Sequence, residues 1–280
     1  MKLLHNRYGK ARVRVLKILR EGERHTVQEV DVTALLEGNF AASYTAADNS
    51  HVVPTDTIKN TVNLLAKEKL GTEIEHFALS LGRHFLERYE QVTHAQIEIT
   101  AKNWQRLPVE GQPHPHAFLA GGDVKGWTRA VCARGGAETI ESGVRDLVIL
   151  KSTGSGWAGY PKCENTTLPE TNDRILSTSF DGTWSWSSAP ASYRIANDVI
   201  LDAMLAAFAK NFSPSAQASV FQMGTAALEA CPEIARVEMQ MPNKHYLPIN
   251  LKPFGLENQN EIFLPTDDPF GVIEGTVVRA

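Results

Sequence analysis

The hydrophobic positions in the first part of the chain follow two spacings, one of two residues and one of about 3.6. Branched apolar residues alternate with polar ones through residues 13–18 and 27–32, on either side of Glu21-Gly22-Glu23. This pattern predicts a β-hairpin that turns at the glycine. Apolar residues then recur at helical spacing from Thr57 to Lys67 and from Glu75 to Tyr89. These two segments are predicted to be amphipathic helices.

The same order of patterns returns in the second half of the chain. Residues 95–99 alternate like a half-buried antiparallel strand and close the first half. Residues 148–150 are strand-like, residues 196–210 and 216–230 have helical periodicity, and residues 237–241 alternate again. Strand pair, helix pair and strand pair, present twice, predict an α+β protein with antiparallel sheets and helix pairs on one face.

The residue identities also repeat, at an offset of about half the chain length. Residues 92–99 resemble residues 234–241 at an offset of 142. A repeat of this size favours two similar domains. Because Gly135-Gly136 is a strong break near the middle, we predict a first domain over residues 1–136 and a second over residues 137–280.

Composition excludes several classes of protein. The formal net charge is -4, so no basic field is present to attract nucleic acid or an anionic membrane. The three cysteines, Cys132, Cys163 and Cys231, lack the spacing of a disulfide framework and suggest free thiols. The first residues contain no long apolar run and the last three are not a peroxisomal address, so we expect a cytoplasmic protein without a membrane span.

Two places near the start of the chain carry candidate chemistry. Lys10 follows Tyr8-Gly9 before the first hairpin, where a lysine is ordinarily solvated but a desolvated amine could accept a proton. Thr55-Asp56 precedes a predicted helix, so these residues suit an N-cap. The same geometry offers free backbone N–H groups to an anionic or carbonyl-rich ligand, and the sequence leaves both interpretations open.

The internal repeat singles out Asn243 and His245 in the second half. At the offset of 142, Asn243 is matched by Ala101 and His245 by Asn103. An amide and an imidazole thus occur in one half only, as expected for a site placed once on a duplicated scaffold. His114-Pro115-His116 is the one pair typical of metal ligands, but no third ligand has convincing spacing, so no metal site is predicted.

Many short segments, in the right order along the chain, resemble the urate oxidase (uricase) family in its cofactor-free, bacterial-type form. The segments include Val53-Pro54-Thr55-Asp56-Thr57-Ile58-Lys59-Asn60, Gln112-Pro113-His114-Pro115-His116, Asp173-Arg174-Ile175-Leu176-Ser177-Thr178 and Met241-Pro242-Asn243-Lys244-His245-Tyr246. The resemblance implies two tandem tunnelling-fold (T-fold) domains per chain. Two chains would close a β-barrel, and two barrels would stack into a homotetramer.

The resemblance also implies a role for each candidate residue. Lys10, Thr55 and His245 would form a catalytic proton relay. The substrate would be bound by Arg174, Gln217, the backbone N–H groups of Thr55, Asp56 and Ala216, a stacking ring at position 157, and Asn243, which with Thr55 would hold oxygen. Lys10 and Thr55 would come from one subunit and the other side chains from its neighbour.

The implied reaction oxidises urate with molecular oxygen and water to 5-hydroxyisourate and hydrogen peroxide, in purine degradation, with no metal or organic cofactor. Three positions depart from the family: Trp157 stands where Phe is usual, Asn165 where an aromatic residue is usual, and Ala216 where Val is common. Alternative interpretations are a T-fold pterin or purine enzyme of another reaction class and a non-catalytic purine-binding relative. The Arg174 and Gln217 pair fits a purine trione better than a pterin.

Overall fold

A computed structural model describes residues 1–280 and contains ten strands and five α-helices. The strands of the first part are β1 (Tyr8–Glu21), β2 (Arg24–Gly38), β3 (Val92–Val109), β4 (Gln112–Ala133) and β5 (Glu138–Lys151). Those that follow are β6 (Leu176–Trp186), β7 (Ile234–Gln240), β8 (Asn243–Pro248), β9 (Phe263–Thr266) and β10 (Glu274–Val278). The helices are α1 (Ala41–Thr45), α2 (Thr55–Lys69), α3 (Ile74–Arg88), α4 (Tyr193–Lys210) and α5 (Ala216–Ala230), and Lys252–Phe254 is a short 3-10 helix.

The predicted hairpin is confirmed as β1 and β2, which pair antiparallel from Tyr8↔Leu36 to Glu21↔Arg24. Gly22 has a φ of 63°, a left-handed conformation that glycine adopts without a steric cost. On β2 every second side chain from Val30 to Leu36 is buried, as the alternation of the sequence predicts. The hairpin therefore presents one apolar face to the core.

The chain forms two compact units. The first comprises Met1–Arg145 and Ser185–Asn197, and the second comprises Asp146–Trp184 and Asp198–Ala280. Residues 185–197 belong to the first unit because they bond to it, for example through Trp186 Nε1, which donates to Ser142 Oγ at 2.9 Å. The division at residue 136, which rests on the repeat in the sequence, stays a prediction.

In the first unit the strand order is β1-β2-β3-β4-β5, and each strand pairs antiparallel with the next. The predicted helices are confirmed as α2 and α3, and both contribute to one hydrophobic core with the buried face of the sheet. Its fully buried members include Val32, Ile58, Phe77, Leu81 and Ile97. The helix pair thus lies on one face of the sheet, which gives an α+β layer arrangement.

The second unit has the same ingredients. β6, β7 and β10 are neighbours in that order, and β8 pairs with β6 and with β9. Helix α5 packs against β7 and β10. Val220 and Met223 of α5 and Val237 and Val277 of the two strands are buried. None of the helices combines the length and the apolar composition that a membrane-spanning helix requires.

Structural details that the sequence pattern does not show follow the same offset as the repeat. Helices α3 and α5 have equal length, and their first residues, Ile74 and Ala216, are 142 positions apart. Arg134 donates to three carbonyl groups between the last turn of α3 and the start of β3, and Arg279 donates to three between the last turn of α5 and the start of β7. The acceptors are Leu86, Tyr89 and Val92 in the first unit and Leu228, Cys231 and Ile234 in the second, so each pair is again separated by 142 positions.

Candidate active site

The first unit places Thr55 and Asp56 at the beginning of α2. Pro54 is the N-cap residue and no side chain caps the helix, so Thr55 is its first helical residue. The interpretation of Thr55 or Asp56 as a capping side chain is therefore wrong. Because the first backbone N–H groups of a helix have no intrahelical partner, those of Thr55 and Asp56 are free to bind a ligand. Both residues are exposed.

The charge at this helix start is balanced within the first turn. The Asp56 carboxylate accepts hydrogen bonds from Lys59 Nζ and, at 2.9 Å, from Asn60 Nδ2. The bond from Lys59, followed by the positive charge of that ammonium, lowers the pKa of Asp56 below its usual value. The charge of Lys10 acts in the same direction, which places Lys10 within electrostatic reach of Asp56.

Lys10 lies on β1 opposite Ala34 of β2, at a break in the strand pairing. The register shifts between Lys10 and Val13, and Arg12 has a φ of 57° inside this bulge. Lys10 itself is partly buried. β-Bulges commonly redirect side chains next to functional sites. This bulge begins directly after Lys10, the candidate relay lysine.

Tyr8 connects the strand of Lys10 with the segment of Thr55. Its hydroxyl accepts a hydrogen bond from the Val53 N–H at 2.7 Å and donates one to the Val53 carbonyl at 3.1 Å. Burial raises the pKa of Tyr8 to about 12. In the sequence, Tyr8 stands in the Tyr8-Gly9-Lys10 segment without a predicted role, because no pattern indicates a contact between residues 45 positions apart.

The second unit contains a cavity of about 350 Å³ that brings together three of the predicted site residues, Trp157, Arg174 and His245. Trp157 is held by a pair of backbone hydrogen bonds with Thr171, of 2.7 and 2.9 Å. The Arg174 guanidinium lies 5.8 Å from the centre of the Trp157 ring. An aromatic face, a cation and an imidazole thus line one concave space, a combination typical of a site for a planar polar ligand.

Arg174 has a fixed main chain and a side-chain donor that no protein group satisfies. Its backbone N–H donates to the Ser155 carbonyl at 2.9 Å, which fixes the main chain, whereas its Nε is buried and has no hydrogen-bond partner. Burial lowers the pKa of the guanidinium. A buried unpaired donor is costly, since the lost hydration is not replaced. A ligand with carbonyl oxygens or negative charge would supply that partner.

Asn243 and His245 stand at alternate positions of β8, so their side chains leave the strand on the same face. β8 is fixed by its pairing with Thr178 of β6 and Thr266 of β9. His245 lines the cavity, and Asn243 is not among the lining residues. The Asn243 Oδ1 atom is buried without a hydrogen-bond partner. Like Arg174 Nε, it is a polar atom that a bound molecule could satisfy.

Ala216 and Gln217 begin α5, as predicted. Ser215 is the N-cap, and its hydroxyl accepts a hydrogen bond from the Ala218 N–H at 3.0 Å. The N–H groups of Ala216 and Gln217 keep no intrahelical partner. Ala216 is buried, whereas the Gln217 side chain is exposed.

Three buried serines, missed by the sequence analysis, fix the loop of Trp157 to the loop before α5. Ser155 pairs with Ser213 in a parallel bridge, and Ser213 Oγ lies 2.6 Å from Ser219 Oγ. All three are almost completely buried, although serine is usually exposed. Small hydroxyl side chains give no periodic signal, so only the structure identifies this connection.

The predicted residues are divided between the units. Lys10, Thr55 and Asp56 belong to the first unit, and the others belong to the second. The His114-Pro115-His116 segment lies in β4, where His114 Nδ1 accepts the Ala117 N–H at 3.0 Å. This bond gives His114 a local structural task at the start of its strand.

Comparison with known proteins gives a consistent result. The model of the family described as Uricase matches residues 6–129 and 140–274 of the chain. The chain is 43% identical to the uricase of Cyberlindnera jadinii, across 97% of this chain and 95% of that protein. It is 38% identical to the uricase of Aspergillus flavus, across 98% of this chain and 96% of that protein. The crystal structure of the uricase from Arthrobacter globiformis superposes with a TM-score of 0.94 at 38% identity, covering 100% of this chain and 95% of that one.

Proposed function

The chain belongs to the uricase family, and from this membership and the geometry of its site we propose how it performs the family's reaction. Oxidation of urate is the activity that follows from the family. The proposal adds that molecular oxygen is the acceptor and that neither a metal nor an organic cofactor takes part. The balanced reaction is urate, oxygen and water giving 5-hydroxyisourate and hydrogen peroxide. The observation that carries the proposal is the cavity shared by Trp157, Arg174 and His245.

Arg174 and Gln217 would bind the polar edge of urate. The planar fork of a guanidinium donates parallel hydrogen bonds to a carbonyl or anionic nitrogen edge. The glutamine amide both donates and accepts, as an edge with carbonyl and N–H groups requires. The free N–H groups of Thr55, Asp56 and Ala216 would complete these contacts, and Trp157 would stack on the purine ring.

Lys10, Thr55 and His245 would move the protons. Doubly deprotonated urate is electron-rich enough to transfer an electron to oxygen directly. The protein therefore has to accept protons, stabilise the dianion and position oxygen and water. Asn243, whose Oδ1 is buried without a partner, would hold these small molecules together with the Thr55 hydroxyl.

We further propose a homotetramer in which Lys10 and Thr55 of one subunit face Arg174, Gln217, Asn243 and His245 of its neighbour. Exposed apolar side chains support an association along β1 and β5. Leu16 and Ile18 of β1 are 53% and 40% exposed, and Val148 and Leu150 of β5 are 54% and 47% exposed. Apolar strand surfaces of this kind are commonly covered by another subunit. The three free thiols fit a reducing setting such as the cytoplasm.

The reaction is tested with chelator-treated protein whose metal content has been measured. With urate in air, the absorbance of urate should fall while one oxygen is consumed and one peroxide forms per urate. Turnover lost on chelation would overturn the cofactor-free part, and urate loss in an oxygen-free cuvette would overturn the role of oxygen. If the protein did not oxidise urate in air, the proposal would be wrong, and the alternative of a non-catalytic purine-binding relative would be favoured.

The position of the site between subunits is tested by complementation. Lys10→Met and His245→Ala chains should each show low activity when they are produced separately. Co-production should restore activity, because a mixed pair of subunits contains one site with both native residues. If each site were formed within one chain, co-production would restore nothing. Size-exclusion chromatography of both variants serves as the control for assembly.

A further inference from the structure

The phenol of Tyr8 holds both backbone groups of one residue in a distant segment. It accepts the Val53 N–H at 2.7 Å and donates to the Val53 carbonyl at 3.1 Å. A single hydroxyl that bonds the donor and the acceptor of one peptide residue fixes the position and the orientation of that segment. No other side-chain hydrogen bond connects β1 with residues 52–55.

The Tyr8 ring is fixed as well as its hydroxyl. Phe40 contacts it edge to face, with ring centres 4.8 Å apart and an interplanar angle of 87°. Phe40 is 1% exposed, so it forms part of the core rather than a mobile surface group. The Tyr8 phenol therefore connects Val53, itself a core residue, with strand β1.

Both residues held by this contact are two positions away from a residue of the proposed relay. Val53 is joined to Thr55 by Pro54, whose φ of -55° is restricted by its ring. Lys10 follows Tyr8 on β1, just before the bulge. We propose that Tyr8 is a positioning residue that sets the distance between Lys10 and Thr55. This inference rests on the relay roles proposed above.

A local irregularity lies beside each of the two relay residues. Helix α2 begins without a side-chain cap, so no capping bond fixes its first turn. The pairing of β1 with β2 is interrupted directly after Lys10. Proton transfer requires heavy atoms at hydrogen-bond distance, and a misplacement of about 1 Å can cost roughly a hundredfold in rate.

The test is Tyr8→Phe, which removes one oxygen and keeps the ring against Phe40. Tyr193→Phe is the matched control, because Tyr193 is a buried phenol of the same unit with ring contacts and no hydrogen bond to a backbone group. In wild-type-like tetramers, Tyr8→Phe should lower kcat by roughly tenfold or more and shift the pH profile of kcat. Tyr193→Phe should leave both unchanged.

A double-variant comparison shows whether Tyr8 acts through the relay. Added to Lys10→Met, the Tyr8→Phe change should have little further effect on kcat, because residues that act as a unit are not additive. A full additional loss, or an unchanged kcat and pH profile for Tyr8→Phe alone, would overturn the proposal. If Lys10→Met and Thr55→Ala were fully active, the proposed relay itself would fail, which is a distinguishable result.

Hydrogen exchange of the wild-type protein tests the contact without a variant, in case Tyr8→Phe does not fold. The Val53 amide should exchange slowly, because Val53 is buried and its N–H donates to the partly buried Tyr8 phenol. The neighbouring exposed amides at Thr55 and Asp56 are the internal reference for fast exchange. Exchange of Val53 as fast as theirs would show that the contact does not persist and would overturn the proposal.

Discussion

Glu75 and Gln217 occupy equivalent positions, the second residues of the equivalent helices α3 and α5. Glu75 is only 2% exposed, and its Oε1 accepts hydrogen bonds from Ser142 Oγ at 2.6 Å and Asn197 Nδ2 at 2.8 Å. Gln217 is exposed and bonds to no other side chain. One scaffold position has thus been used for internal structure in the first unit and left available for a ligand in the second.

This difference predicts that two matched substitutions affect different quantities, namely stability in the first unit and substrate binding in the second. Glu75→Ala should lower the free energy of unfolding by about 2 kcal/mol, because the buried Ser142 and the partly buried Asn197 lose their shared acceptor. Gln217→Ala should change stability by less than about 0.5 kcal/mol and raise the KM for urate roughly tenfold, the effect of about 1.4 kcal/mol. Thermal unfolding at equal protein concentration and steady-state kinetics measure both effects. An unchanged KM for Gln217→Ala would remove this residue from the site.

Arg174→Met should separate stability from binding. The substitution removes a buried Nε that has no partner, so the ligand-free protein should be as stable as the wild type or more stable. Urate, or a non-reactive purine analogue, should raise the melting temperature of the wild type but not of the variant. Arg20→Met, at an exposed position of β1, is the control and should keep the ligand-induced shift. A shift retained by Arg174→Met would contradict the proposed role.

The sequence predicted the periodic elements well and the contacts between them poorly. Helix α5 has the predicted bounds, and α2 extends two residues beyond the prediction at each end. Gly121-Gly122, a second glycine pair near the middle of the sequence, lies inside the long strand β4. Gly122 adopts a φ of 79° there, and the register of β3 and β4 shifts nearby, between Lys102 and Trp104. A glycine in the sequence thus indicates a backbone irregularity without showing whether the strand ends.

For the site, residue types with distinctive chemistry could be identified and their supports could not. Arg174 and His245 were recognised by their side chains within family-like segments, and the structure places both in one cavity. The contact of Tyr8 with Val53 depends on the closure of the loop between β2 and α2. Such contacts follow from packing in three dimensions and leave no period in the sequence.

Gly9→Ala should damage the site more than a glycine substitution ordinarily does. A Cβ at Gly9 would lie 1.8 Å from the Ala34 carbonyl oxygen, a backbone atom that cannot move away without displacing β2. We expect a loss of stability of about 2 kcal/mol or more and a loss of activity, because Lys10 is the next residue. Gly126→Ala is the control, since its Cβ would meet only the Ala101 Cβ at an ordinary 3.9 Å. Equal melting temperatures for the two variants would contradict this prediction.

The Tyr8 contact should make stability fall in strongly alkaline solution. Burial raises the pKa of Tyr8 to about 12, above the value of about 10 for an unfolded chain. The folded state therefore holds the proton more tightly, and its stabilising effect is complete below about pH 10 and is lost as the pH rises through about 12. The difference in melting temperature between wild type and Tyr8→Phe should be constant from pH 7 to 9 and shrink above pH 10. A constant difference up to pH 12 would contradict the raised pKa.

Trp157 is proposed to stack on the substrate, a role for which the sequence resemblance implies a phenylalanine. One face of its indole stacks on Tyr160, with ring centres 5.5 Å apart and an interplanar angle of 14°. The ring also lines the cavity beside Arg174. Because Tyr160 covers one face of the indole, a purine that stacks on Trp157 would have to use the other face.

Trp157→Phe should therefore keep the KM for urate within roughly threefold, because a π-face remains. Trp157→Ala should raise the KM roughly tenfold or more, since aromatic stacking on a base is worth about 1–3 kcal/mol. Trp104→Ala, on β3 of the first unit, is the control for loss of an indole elsewhere. Urate should quench the tryptophan fluorescence of the Trp104→Ala protein and do so less for Trp157→Phe. A Trp157→Ala enzyme with the wild-type KM would place the substrate away from this ring and leave Arg174 and Gln217 as its main contacts.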